Sequence, residues 1–120
     1  MKPGGYGAYS RTSTASLSGR RLEGQAFAKA AALLAQAVDH PAALAKALRF
    51  NNNLWTVVQA DVAGPDSRLP EPLKGQIVAL SLFMDKQTFA LLAAGHDRKA
   101  LEAMAAINRS LASGLLQSQG

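Results

Sequence analysis

Phe50-Asn51-Asn52-Asn53-Leu54-Trp55-Thr56-Val57-Val58-Gln59-Ala60-Asp61 sets the only tryptophan of the chain and three consecutive asparagines inside one helical pattern. Around it apolar residues recur at Leu44, Leu48, Trp55, Val58 and Val62, in steps of four, seven, three and four, the spacing of a single helix face. The beat missing from the long step is Asn51, so spacing alone assigns this amide to the buried stripe. A buried amide left without a hydrogen bond costs about 1–3 kcal/mol, and the stretch therefore predicts a partner for it. Near the other end Asn108 interrupts a second stripe, Leu101, Met104, Leu111, Leu115, in the same way. The economical expectation is that Asn51 and Asn108 meet, or that each ties down a loop carbonyl, so that a polar tie joins the second and fourth helices. The alternative is that both line a groove and bond to the backbone of an inserted partner helix. Asn52, Asn53 and Arg109 turn outward beside them and are the expected contacts to any partner. Trp55 belongs to the core, and its indole N–H needs an acceptor.

Working outward, a first helix is expected over about 17–38, with Phe27, Ala31, Leu34 and Val38 as its stripe. It is rich in alanine, which favours the helix and offers only a modest apolar surface of its own. Asp39-His40-Pro41 breaks it, and the second helix, over 41–63, stops at Gly64-Pro65. A third, over 70–94, has the stripe Leu73, Ile77, Leu80, Met84, Leu91 and further apolar residues, Val78, Leu82, Phe83 and Phe89, off it. Apolar residues on so much of the circumference favour a central place in the bundle over a second face offered to a partner. Gly95 ends it, and Asp97 can cap a fourth helix over 97–116. No strand-like alternation, internal repeat or long charge block is present. The fold class is all-α, a small four-helix bundle-like domain over 17–120 preceded by a flexible basic N-terminal arm over 1–16, whose Gly, Ser and Thr cannot offset their ordering entropy.

The 120 residues carry a formal charge of +5, which suggests an anionic partner until the charges are located. Residues 1–21 hold Lys2, Arg11, Arg20 and Arg21 and no acid, whereas nine basic and eight acidic side chains nearly balance over 22–120. A basic arm can add non-specific affinity for RNA or for an acidic protein surface, with Tyr6 and Tyr9 able to stack on bases or on a partner, whereas the nearly balanced folded part is not what a dedicated phosphate-binding face looks like. The absence of cysteine excludes disulfides and thiolate metal centres. No apolar run approaches the roughly 20 residues that cross a bilayer, and the first residues lack a secretory apolar segment. A cytoplasmic protein with no membrane partner is expected.

Catalysis finds little support. His40 and His96 fall at helix breaks beside Asp39 and Asp97 and read as exposed loop residues, and two histidines without a third ligand at helical spacing make no metal site. Phosphate-loop, dinucleotide and nucleophile-elbow patterns are missing. No enzyme, no metal and no cofactor is the expectation, with binding or regulation as the role.

Asn51-Asn52-Asn53-Leu54-Trp55, Asp61, Leu69-Pro70, Leu73, Ile77, Leu80, Phe83, Ile107-Asn108-Arg109 and Gly114-Leu115, in that order and spacing, resemble the flagellar biosynthesis regulator FlaF family over almost the whole chain. That family is marked by Asn-Arg-x-Leu-Trp, a downstream Asp, a Leu-Pro helix start, an apolar third helix and a closing Ile-Asn-Arg; here Asn52 replaces the frequent arginine. The resemblance implies a small non-enzymatic protein that promotes flagellin production and export, acting alongside the translational regulator FlbT. Flagellin then becomes the expected partner, held by one of its amphipathic helices in a groove bordered by the Asn51–Trp55 and Asn108–Arg109 segments. The alternative is regulation of flagellin messenger RNA, through the basic arm or through FlbT. A homodimer closed by the spare apolar face of the third helix is a further expectation.

Overall fold

The computed structural model describes residues 17–65 and 70–117, so the expected arm over 1–16 lies outside the described residues. Four α-helices follow one another: α1 Leu17–Asp39, α2 Leu44–Ala63, α3 Glu71–Ala94 and α4 Arg98–Gln117. No strand occurs among the described residues, and the all-α bundle expected from periodicity is what forms.

The breaks follow local chemistry. Pro41 opens a 3-10 turn, Pro41–Ala43, closed by the Ala43 N–H on the His40 carbonyl at 2.8 Å, and α2 starts only after it. At Gly64 the backbone becomes extended and its N–H falls back on the Asp61 carbonyl at 3.3 Å. Gly95 stops α3 at φ +93°, a left-handed conformation that glycine adopts without penalty. Asp97 then accepts the Ala100 N–H on its carboxylate at 3.2 Å, the capping bond its position suggested.

Packing is uneven. α1 and α4 form by far the most extensive pair, α2 packs on α1, α3 packs on α2, and α3 touches α4 least. The stripe of α1, Phe27, Ala31, Leu34 and Val38, is buried, together with Ala30 and Ala37. Facing it on α4 are Leu101, Met104, Ala105 and Ala112, all buried. Small side chains let the two backbones approach: a Cβ added to Gly24 would fall 2.7 Å from Leu116 Cγ. The alanine content that gives α1 a modest surface is thus what makes it central, because the short side chains bring α4 into contact along its length.

The expected central place of α3 is wrong. Only Ser81, Met84 and Leu91 of this helix are buried, while Val78, Leu82, Phe89 and Leu92 face outward. Apolar residues distributed round a helix cannot all be covered from one side, and the bundle covers a single seam of α3. The same dispersion corrects the reading of apolar runs. α3 has a mean hydropathy of 1.5 in its most apolar window and is long and apolar enough to cross a membrane by length and composition. In the bundle it packs against α2 through Ser81 and Met84, and 17% of that window is buried.

Candidate functional site

At the centre of the bundle the helical spacing places Asn51 and Trp55 one turn apart on the inner face of α2. Both are buried, at 0% and 1% exposure, as is Asn108 of α4. Their polar atoms form a relay whose direction is fixed at one end. An indole N–H can only donate, so the Asn108 atom facing it must be the carbonyl oxygen. Trp55 Nε1 donates to Asn108 Oδ1 at 3.0 Å. The Asn108 amide nitrogen is then left to donate, and it does so to Asn51 Oδ1 at 2.7 Å. Asn51 Nδ2 donates in turn to the Met84 thioether of α3, at 3.6 Å. The relay runs from an indole N–H that can only donate to a weak sulfur acceptor, and each amide orientation follows from the one before. Phe27 of α1 closes the cluster, edge-on to Trp55 with ring centroids 5.5 Å apart.

The structure therefore brings Asn51, Trp55 and Asn108 together and leaves Asn52, Asn53 and Arg109 exposed. The seam between Asn51–Trp55 and Asn108 is closed by mutual hydrogen bonds, so it is not the open groove that the alternative reading of the sequence required. A second polar tie, from the Gln59 amide to the buried Ser81 hydroxyl, also joins α2 to α3. Sequence reasoning missed it, since a serine among apolar residues on α3 carries no periodic signal.

An open apolar depression of about 290 Å³ lies instead between α3 and α4, lined by Leu80, Ala106, Ile107, Ser110 and Leu111. It sits where the two helices touch least. Ile107 and Leu111 are half-buried, and Leu80 faces them from α3. Leu80 was legible as part of the α3 stripe; that it borders a cleft was not, because spacing gives a face and not the distance to the neighbouring helix.

A third feature is the corner between the end of α1 and the start of α4. His96, exposed by area as expected, is not a bare loop residue: its Nε2 lies 2.9 Å from the carbonyls of both Ala37 and Val38 and donates to the end of α1. Beside it Arg98 pairs with Asp39 at 2.6 Å and with Glu102 at 3.3 Å. Hydrogen bonding to Asp39, and then to Glu102, holds the Arg98 guanidinium still more firmly protonated than an ordinary arginine. A shallow polar pocket of about 290 Å³ there also includes Ala35, Ala105 and Arg109. Among the described residues no three histidines, aspartates or glutamates converge as metal ligands.

The family model described as Flagellar protein FlaF matches residues 6–115, a span that takes in every described helix except the last two residues of α4. No curated protein and no solved structure matches the chain.

Proposed function

The chain belongs to the FlaF family of flagellar proteins, and from that premise we propose that it serves flagellin export by holding an amphipathic flagellin helix in the cleft between α3 and α4. The observation that carries this reading is the open apolar depression lined by Leu80, Ile107 and Leu111, where α3 and α4 pack against each other only sparsely. A helix laid into such a groove buries its apolar residues at i, i+3, i+4 and i+7 while its polar face stays in water. A flagellin segment so covered is kept from polymerising before export. The closed seam at Asn51 and Asn108 supports a role for those residues inside the bundle, where they hold α2, α3 and α4 in register and so set the width of the cleft. Asn52, Asn53 and Arg109 are exposed and do not line the cleft.

Co-purification of the two proteins tests the reading. Complex formation at micromolar concentration is expected, and Leu80→Asp or Ile107→Asp weakens it by about tenfold or more, since each places an unpaired charge on a desolvated contact. Absence of any complex with the unaltered chain, or undiminished binding by both variants with helical content intact, would sink it.

The charge partition supports a second reading, in which the chain acts on flagellin messenger RNA, directly or with FlbT: residues 1–21 carry four basic side chains and no acid. Binding of that kind falls steeply with salt and is lost when residues 1–21 are removed. Binding in the cleft survives both treatments.

A further inference from the structure

Val78, Leu82, Asp85, Phe89 and Leu92 follow one another on α3 at steps of four, three, four and three, the spacing of a helix-pairing seam. At about 100° per residue they fall within a sector of roughly 80°, on the far side of α3 from Leu80 and the cleft. The four apolar members are 43%, 60%, 71% and 67% exposed in chain order. Asp85 interrupts the seam, Lys86 stands at its margin, and neither takes part in an ion pair among the described residues.

We propose that this seam is a self-association surface, on which a second copy of the chain lays its own α3 antiparallel about a two-fold axis between Asp85 and Lys86. The occupant follows from charge. A wholly apolar helix or a lipid surface would desolvate Asp85 with no counter-charge, a costly outcome. An antiparallel copy supplies one, since the register that sets Asp85 opposite Lys86 of the second copy sets Lys86 opposite Asp85 in turn. That register also sets Leu82 opposite Phe89 twice, and lays Val78 and Leu92 over Ala93 and Ala79, where the small side chains leave room. Every contact is met by its own mirror, which is what a two-fold interface demands of a sequence.

The seam is one helix wide, so the interface stands at the small end of specific contacts, roughly 1,200 Å² in total, and the dimer exchanges readily with monomer. Because the cleft is on the other side of α3, the dimer leaves it open and presents two clefts. The inference does not rest on flagellin binding: cleft variants test that reading, and seam variants test this one.

The experiment is sedimentation velocity of the full chain from low to high micromolar concentration, joined to disulfide mapping. A reversible monomer–dimer equilibrium is expected. Asp85→Lys weakens association about tenfold or more by setting like charges across the axis, and the double exchange Asp85→Lys with Lys86→Asp restores it. The chain has no cysteine, so an introduced one is the only thiol. Asp85→Cys oxidises to a covalent dimer, whereas Val78→Cys does not, its copy standing about 20 Å away along the antiparallel axis. A chain that is monomeric throughout overturns the proposal, as does equal cross-linking at both positions, the mark of parallel pairing. Failure of the double exchange to recover association, with helical content unchanged, also overturns it.

Discussion

Helix α1, of 23 residues, and helix α3, of 24, are nearly equal in length and differ in kind. α1 is rich in alanine around Phe27, Leu34 and Val38, and its inner face from Phe27 to Val38 is buried. α3 holds Leu73, Ile77, Val78, Leu80, Leu82, Phe83, Met84, Phe89, Leu91 and Leu92, and buries only two of them fully. Burial is thus set by how closely a helix can be approached and by whether its apolar residues share a face, not by how many it has. Small residues along α1 admit α4, while the crowded surface of α3 meets α2 along one seam and leaves the remainder exposed.

If this contrast is right, the largest effects lie where α1, α2 and α4 converge. Trp55→Ala removes the ring that Phe27 packs against and orphans Asn108 Oδ1. It is expected to cost about 3–5 kcal/mol in denaturant unfolding, enough to leave a small domain marginal. A loss below 1 kcal/mol, on the order of a surface change, would break the picture of a convergent core.

Next come the two asparagines. Asn51→Ala or Asn108→Ala leaves the other amide buried with an unpaired group and is expected to cost about 1–3 kcal/mol. The double variant should cost clearly less than the two together, since the second change removes a group that the first has already orphaned. Additive losses would mean that the 2.7 Å bond between them contributes little.

Much of this centre was legible from spacing. Asn51 and Asn108 fell on apolar stripes, a buried amide must find a partner, and two such amides on two helices make the other the simplest partner. The boundaries of the helices were equally readable from Pro41, Gly64, Gly95 and Asp97, whose backbone chemistry is local. What could not be read was which helices approach most closely. Periodicity in α3 names a face but not its neighbour, and with apolar residues on several faces it named too many. Nor could spacing show that Met84 would receive Asn51 or that Ser81 would meet Gln59, since both depend on the offset between α2 and α3 along their axes. His96 escaped for a related reason: its bond to the end of α1 spans 58 residues of sequence.

The attachment of α3 supplies a smaller test. Its ties to α2 are a thioether acceptor and the Gln59–Ser81 bond. Met84→Leu keeps the volume and deletes the acceptor, for an expected loss of less than about 1.5 kcal/mol. Its mark should be local: amide exchange in α3 accelerates while α1 and α4 stay protected. Exchange in α3 as slow as in α1 in the unaltered chain would show that the two helices are equally held and would erase the difference between them.

The smallest effect on folding is expected on the outer face of α3, and there smallness is the informative result. Leu82→Gln and Phe89→Gln alter side chains that are 60% and 71% exposed, so each should change the unfolding free energy of the monomer by no more than about 0.5 kcal/mol. The same changes should abolish concentration-dependent dimerisation, because Leu82 and Phe89 would face one another twice across the two-fold axis. A residue whose loss leaves the fold untouched and removes an assembly is one whose apolar character serves something outside its own chain. If instead these variants destabilise the monomer as strongly as a change in α1, the outer face is held by the bundle itself, and the distinction between a helix that is packed and a helix that is presented disappears.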